Sequence, residues 1–356
     1  MEKILVVFTG GTIGSSKKCR TIDVDAKTSY SLLESYLASA KSIAVEFDVL
    51  KPLNILSENL ISADWLTLFD ALVEHDLNKY QGIIITHGTD TLPYTCAAIS
   101  YMFNNTPIPI VVTASNFPLE DPRSNGLDNF TSAVDFIINS RLPGVFAIFC
   151  NYLQEPIVYL GTRMMQAKPF TNEFESANMV DFGKMIDAYL VENRHSWNPG
   201  PEQLHAKRFS IPTPLKGFSD EILYICPAPG LNYNFYDFSR YCPKAILHDL
   251  YHSATACVRK NGYPGKQFSL IEFLRYCQGY NVDVFITPIN GLSDDIYISL
   301  RELMDFGAIP LVNISVEAAW VKLKLLYGNY SRDEIFRDGL LEKNLFFENL
   351  VPQNNS

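Results

Sequence analysis

The sequence predicts an α/β protein in which a larger N-terminal domain, built on a doubly wound and mostly parallel sheet, precedes a smaller C-terminal α/β domain. Apolar strand runs alternate with amphipathic helical runs along the chain, and two of the strand runs end in a glycine turn that carries a threonine. The 356 residues suffice for about two domains. We assign residues 1–191 to the first domain, 192–218 to a linker and 219–356 to the second domain.

Five runs in the N-terminal half are typical of buried strands. They are Lys3–Phe8, Val45–Leu50, Gly82–Thr86, Ile108–Thr113 and Val145–Cys150. Apolar residues at helical spacing predict helices between them, over Ser31–Ala40, Ala63–His75, Thr91–Phe103 and Leu127–Asn139. Ser62 is the expected N-cap residue of the second helix. This order is typical of a parallel sheet with helices on both faces.

The predicted linker is marked by Pro199-Gly200-Pro201 and Pro212-Thr213-Pro214, which interrupt any periodicity. Beyond it, four strands are predicted at Glu221–Cys226, Lys244–Leu250, Val282–Pro288 and Ile309–Asn313. Helices are predicted near Phe268–Gln278, Tyr297–Phe306 and Val316–Tyr327. The aromatic residues within Leu231–Tyr241 are compatible with a core or with an interface patch.

Composition restricts the partners of this chain. Its 39 acidic against 29 basic residues give a net charge of −10, which disfavours nucleic acid and anionic membranes as partners. The N-terminal apolar run is too short for a secretory signal, so a cytoplasmic protein is expected. The seven cysteines are scattered without a CxxC motif, and Cys96, Cys226 and Cys257 are predicted to be small buried hydrophobic residues.

Two glycine turns follow strand runs, Thr9-Gly10-Gly11-Thr12-Ile13-Gly14 and Thr86-His87-Gly88-Thr89-Asp90. Neither fits the nucleotide-binding patterns G-x-G-x-x-G or G-x-x-x-x-G-K-[ST]. Tight connections alone explain the glycines but not the threonines and the acid. Ligands of open parallel sheets bind outside the carboxyl ends of the strands, which predicts a site on Thr12, Thr89 and Asp90. A threonine hydroxyl is a nucleophile once a base takes its proton, and turn N–H groups stabilise an oxyanion.

The two turns, about 77 residues apart, resemble those of the bacterial-type L-asparaginases, especially the cytosolic type I branch. Further segments resemble that family across most of the chain. These are Leu53–Glu58 with Asp64-Trp65, Thr113–Pro118 with Arg123–Gly126, Phe174–Asn178, and Val316–Ala319 with Lys322. The resemblance implies an asparaginase/glutaminase-like fold, a homodimer or homotetramer, and a reaction that needs neither a metal nor an organic cofactor.

The resemblance also implies roles for individual residues. Thr12 is the nucleophile, and Thr89, Asp90 and Lys168 form a second triad in which Lys168 is the base. The α-carboxylate and α-amino group of the substrate are held by Ser57 and Glu58, while the amide pocket is lined by Gly11, Gly88 and Ala114. His87 is expected to be a structural, hydrogen-bonded residue.

The sequence departs from the family pattern in several segments, one of which, Thr287–Gly291, differs from the effector-binding segment of allosteric type I members. The loop after Gly14 has no tyrosine before Tyr30, although the family closes this loop over the substrate with one. Asn125 replaces an aspartate, His252-Ser253-Ala254-Thr255 replaces a glycine–asparagine turn, and Gln166-Ala167-Lys168-Pro169 departs from the spacing T-T-K-x.

Three functional hypotheses remain. The first is an amidohydrolase that converts L-asparagine and water to L-aspartate and ammonia through a threonine acyl-enzyme, with the preference between asparagine and L-glutamine left open. The second is a catalytically weakened asparaginase-fold protein that binds an amino acid or regulates. The third, the amidase component of a tRNA-dependent amidotransferase, is disfavoured by the acidic charge and by a first strand that begins at Lys3.

Overall fold

The structure, a computed structural model, describes residues 2–11, 13, 15–18, 21–24, 28–260, 265–292 and 295–353. Its strands are β1 (Glu2–Phe8), β2 (Ser15–Lys18), β3 (Thr21–Val24), β4 (Val45–Leu50), β5 (Gly82–Thr86), β6 (Pro109–Thr113), β7 (Gly144–Phe149), β8 (Ile157–Leu160), β9 (Gly183–Ile186), β10 (Tyr189–Glu192), β11 (Ile222–Ile225), β12 (Ala245–Asp249), β13 (Asp283–Ile289) and β14 (Ile309–Val312).

The helices alternate with the parallel strands. They are α1 (Thr28–Ala38), α2 (Ser62–Val73), α3 (Leu92–Met102), α4 (Gly126–Ser140), α5 (Pro201–His205), α6 (Leu270–Gly279), α7 (Ile298–Asp305), α8 (Val316–Asn329) and α9 (Arg332–Arg337). None of the helices in the described part of the chain is long and apolar enough to cross a membrane.

The chain divides into two compact units, and the boundary lies between Leu215 and Lys216. The first unit also takes in Asn344–Phe347 and the residues from Val351 on, and the second takes in Glu348–Leu350. The predicted linker, 192–218, contains the short helix α5.

The first unit contains an eight-stranded sheet in the order β10-β9-β8-β7-β6-β5-β1-β4. The strands from β4 to β7 in this order pair in parallel, whereas β8, β9 and β10 extend the sheet with antiparallel ladders. The central strands are continuous apolar runs because both faces of a parallel sheet are covered. All residues of β5, β6 and β7 are buried.

The second unit contains a four-stranded parallel sheet in the order β11-β12-β13-β14. Its core includes two of the aromatic residues whose position the sequence left open, Tyr233 and Phe238, and the Tyr233 ring stacks on Phe273 with centroids 4.7 Å apart. Phe235, by contrast, is exposed. The predicted fold class is thus confirmed, with a large mostly parallel sheet followed by a smaller α/β unit.

Two local predictions were wrong. Cys96 is buried, but Cys226 and Cys257 are exposed, because they lie in segments outside the strands and helices, where apolar neighbours in sequence do not enclose the thiol. Ser62 is the first residue of α2 rather than its cap. The preceding N–H, that of Ile61, donates to Asp64 Oδ2 at 2.8 Å, so a carboxylate within the first turn stabilises this helix end.

Candidate active site

The first glycine turn packs against the segment that leads to Ser57. Gly10 and Gly11 have φ of +109° and +75°, the left-handed region that favours glycine. Gly11 N donates to Ile55 O at 3.0 Å, and Ile55 N donates to Thr9 O at 3.1 Å. This turn therefore continues the parallel sheet beyond β1. The predicted nucleophile, Thr12, lies outside the described residues.

The two glycine turns and Ser57 form a three-way contact. The strands β1 and β5 are parallel neighbours with Phe8 paired to Thr86, so both turns leave the same edge of the sheet. A Cβ atom on Gly11 would lie 2.5 Å from Gly88 Cα, and one on Gly88 would lie 2.7 Å from Ser57 Cβ. The structure thus brings together Gly11, Gly88 and Ser57, three predicted site residues.

Ser57 is buried at this contact. Only 4% of the residue is exposed, and its carbonyl oxygen accepts a hydrogen bond from Thr91 Oγ1 at 2.9 Å. The next residue, Glu58, is exposed, as is Asp90, while Thr89 is half-buried. The site therefore has a buried hydroxyl and two solvent-accessible carboxylates, polar groups suited to the charged ends of an amino acid.

The predicted structural role of His87 is confirmed by its contacts. Its Nδ1 donates to Gly88 O at 2.9 Å, and its Nε2 accepts from Thr95 Oγ1 at 3.0 Å. Thr95 Oγ1 in turn accepts from Trp65 Nε1 at 3.0 Å. Burial lowers the pKa of His87 to about 4, so the neutral ring orients the second glycine turn.

The depressed pKa of His87 predicts a loss of stability in acid. Above pH 6.5 the ring is neutral in the folded and the unfolded chain, and its contribution is fully present. As the pH falls from 6.5 to about 4, only the unfolded chain gains a proton, which costs up to about 3 kcal/mol of unfolding free energy. Urea unfolding at several pH values is expected to give a shallower pH slope for His87→Gln, whereas exposed His205→Gln keeps the parent slope.

The end of a third strand, β6, is followed by Ala114, another residue that is predicted to line the amide pocket. Ala114 is fully buried directly after β6, and its carbonyl oxygen accepts from Asn129 Nδ2 at 2.8 Å. Asn125 accepts at Oδ1 from Asn116 N and donates through Nδ2 to Cys150 O at 2.8 Å. A carboxylate has no N–H to donate to that carbonyl, which explains why asparagine suits this chain where the family pattern has aspartate.

The predicted base, Lys168, is exposed and ion-paired. Lys168 Nζ forms an ion pair with Glu175 Oε1 at 2.5 Å, and 56% of the lysine side chain is exposed. Gln166, two residues earlier, contacts the second turn, and its Nε2 donates to Asp90 O at 2.7 Å. Sequence reasoning missed Gln166. The signal was the departure of Gln166-Ala167-Lys168-Pro169 from the family spacing.

Residues 3–198 match the family model described as "Asparaginase, N-terminal". This match covers more than half of the chain, which therefore belongs to the asparaginase family. The L-asparaginase of Thermococcus kodakarensis is 28% identical over 96% of this chain and 98% of its own length. A component of the glutamyl-tRNA(Gln) amidotransferase of Methanococcus maripaludis is 27% identical over 94% of this chain and 78% of its own length.

Solved structures show the same fold. The thermostable L-asparaginase from Thermococcus kodakarensis superposes with a TM-score of 0.76 and 26% identity, covering 98% of this chain and 99% of that one. L-asparaginase I from Vibrio cholerae superposes with a TM-score of 0.76 and 23% identity over the same shares, a likeness of fold alone.

Proposed function

We propose that this protein is an amidohydrolase that converts L-asparagine and water to L-aspartate and ammonia. The observation that carries the proposal is the three-way contact of Gly11, Gly88 and Ser57 at the carboxyl edge of a parallel sheet. Such an edge is where open α/β sheets bind ligands. Membership of the asparaginase family supports the reaction class.

In the proposed reaction the Thr12 hydroxyl attacks the side-chain amide carbonyl of the substrate. The collapse of the tetrahedral intermediate releases ammonia and leaves an ester on Thr12, which water then hydrolyses to aspartate. Backbone N–H groups of the glycine turns stabilise the oxyanion, a contribution of about 100- to 1,000-fold for one donor. The α-amino and α-carboxylate groups bind at Glu58, Asp90 and Ser57, and Thr89 assists proton transfer.

Lys168 remains the proposed base by resemblance, but it can act as one only if its present ion pair is broken. Its ammonium pairs with Glu175 and faces solvent, so it serves as a base only after leaving that carboxylate. This observation favours a second candidate, an asparaginase-fold protein that binds an amino acid with little turnover. Gln166, which contacts Asp90, has no proton-accepting nitrogen to replace a lysine.

Ammonia release from the purified protein separates the two candidates. L-Asparagine, L-glutamine and D-asparagine are each supplied to the parent and to Thr12→Ala. Turnover of L-asparagine that disappears in Thr12→Ala and falls in Thr89→Val supports the hydrolase. Calorimetric binding of asparagine or aspartate without ammonia release supports the binding protein instead, and equal turnover in parent and variants contradicts the proposed nucleophile.

The role of Lys168 has its own test. Lys168→Met is expected to lower kcat for asparagine by about 100- to 10,000-fold, the contribution of a general base, with little change in KM. Lys184→Met is the matched control, since Lys184 is an exposed lysine of β9. Unchanged kcat in Lys168→Met would contradict its role as base and leave the Thr12 assignment to be decided by Thr12→Ala.

The relatives that belong to tRNA-dependent amidotransferases define a third candidate activity. An amidotransferase that acts on charged tRNA needs a basic surface, whereas this chain has a net charge of −10. Ammonia release that is unaffected by added tRNA would support a free-standing hydrolase. We also propose a homodimer or homotetramer, which light scattering of the purified protein measures directly.

A further inference from the structure

A cavity of about 330 Å³ lies in the second unit beside the first turns of α6. It is formed by one face of that helix, the segment 233–237 and the turn at 266–267. Its volume is at the lower end of the range of about 300–1,000 Å³ that is typical of small-molecule pockets. None of the residues that line it is among the predicted site residues, so its chemistry needs an explanation of its own.

One face of α6 combines polar and aromatic side chains at this cavity. The lining residues of this face are spaced i, i+3, i+4 and i+7 and therefore share one side of the helix. They are Ser269, Glu272, Phe273 and Tyr276. Other residues of α6, among them Leu274 and Cys277, are buried in the core of the second unit.

Aromatic rings form one part of the lining. Phe273 is buried, its ring stacks on that of Tyr233, and its centroid lies 5.6 Å from that of Tyr236. Tyr276 Oη accepts a hydrogen bond from Phe238 N at 2.7 Å, which holds this ring in place. Tyr236 and Tyr276 are half-buried, so part of each side chain remains accessible. A ligand with an apolar face can pack on these rings.

The polar part of the lining carries no single sign of charge. Lys266 contributes an ammonium, whereas Asp237 and Glu272 contribute carboxylates. The carboxylates already accept hydrogen bonds, from Ser239 N at 2.9 Å and from Arg275 Nη1 at 2.5 Å respectively. Neutral amide groups complete the polar lining, those of Asn234 and Gln267. Donors and acceptors thus lie side by side, which suits a neutral polar ligand better than an anion or a cation.

A buried hydroxyl in this lining points to a ligand. Ser269 is fully buried, and among the described residues its Oγ has no hydrogen-bond partner. Ser269 is the N-cap residue of α6, where a serine Oγ ordinarily accepts from an N–H of the first turn, but here it makes no such bond. Buried polar groups are nearly always hydrogen-bonded, so this hydroxyl beside a cavity indicates a partner that enters the cavity.

We propose that this cavity binds a sugar of about one ring in size. The C–H groups on one face of a pyranose ring are apolar and pack on the rings of Tyr236 and Tyr276. A sugar hydroxyl both donates and accepts, so one hydroxyl pairs with Ser269 Oγ while others accept from Lys266 and donate to Asp237. A carboxylate ligand would be repelled by the acidic lining residues, and an ammonium ligand by Lys266.

Saturation-transfer difference NMR of the intact protein with D-glucose, D-galactose and D-mannose tests this proposal. At least one of these sugars is expected to receive saturation at its ring C–H protons, with a signal that reaches a plateau on titration. Tyr236→Leu is expected to weaken the affinity for that sugar about threefold or more, whereas Tyr236→Phe, which keeps the ring, retains most of it. Tyr189→Leu is the matched control because Tyr189 is an exposed tyrosine of β10.

Ser269→Ala tests the buried hydroxyl. The affinity for the sugar is expected to fall about threefold or more, because one hydrogen bond to the ligand is lost. The urea midpoint is expected to stay at or above that of the parent, since the hydroxyl has no partner among the described residues. A hydroxyl that only capped α6 would give the opposite result, a lower midpoint with unchanged affinity.

Three results would overturn the proposal. These are the absence of saturation transfer to all three sugars, equal sugar affinity in the parent, Ser269→Ala and Tyr236→Leu, and binding of acetate or methylamine that is tighter than that of the sugars. Ammonia release is not measured here, so the outcome is independent of the proposed hydrolase.

Discussion

Gly11→Ala is expected to lower asparagine hydrolysis by more than about 100-fold and to destabilise the first unit. The added Cβ would collide with Gly88 N and lie 2.5 Å from Gly88 Cα, and both are backbone atoms that cannot rotate away. The turns must separate, and a displacement of about 1 Å is enough to cost on the order of 100-fold in rate. The left-handed φ is expected to cost the alanine variant about 1–2 kcal/mol of unfolding free energy. Overpacking between the turns is expected to cost a further ~1–3 kcal/mol.

Gly230→Ala is the control that separates the effect of the collision between the turns from the effect of the left-handed backbone. Gly230 has φ of +81°, close to the +75° of Gly11, but among the described residues beyond its two chain neighbours no atom lies within 4 Å of a Cβ built on it. This variant therefore carries only the cost of the left-handed backbone. Ammonia release and urea unfolding are measured for both. Equal loss of stability in the two variants, with activity kept in Gly11→Ala, would mean that the contact between the turns is not required.

The central strands were predictable because their burial dictates their sequence. Gly82–Thr86 was predicted with the observed bounds, since an uninterrupted apolar run that stops at polar residues identifies a strand covered on both faces. Family resemblance then identified Gly11, Gly88 and Ser57, which the fold brings into contact. Strand ends and glycine turns are local features, so the sequence alone contains the information.

Other features depend on tertiary contacts that local patterns do not encode. The antiparallel strands β8, β9 and β10 are four residues each and have no α-helices between them, so the strand–helix alternation that identified the parallel strands is missing there. The contact between Gln166 and Asp90 joins residues 76 positions apart. Motif spacing therefore indicated that the segment around Lys168 was unusual, but not which side chain reaches the second turn.

A buried ion pair in the second unit has the largest expected effect on stability. Lys322 on α8 and Glu348 are 2.8 Å apart, with side chains 4% and 0% exposed. Lys322 Nζ also donates to Leu341 O and Lys343 O at 2.8 and 2.7 Å, so all three N–H groups of the ammonium are used. These bonds attach the segment that follows α9 to α8. The pair was not predicted, because resemblance marked Lys322 only as part of a helix motif.

Lys322→Met is expected to lower the unfolding free energy by about 3–5 kcal/mol, because it leaves the Glu348 carboxylate buried without its cation. Lys324→Met, two residues along the same helix, is the matched control. Lys324 pairs with Asp220, whose side chain is 80% exposed, so water replaces the lost ammonium and the loss is expected to be about 1 kcal/mol or less. Adding Glu348→Leu to Lys322→Met removes the buried carboxylate and is expected to restore much of the stability. Urea titrations measure all three variants, and equal losses in Lys322→Met and Lys324→Met would show that burial of the carboxylate is not the cause.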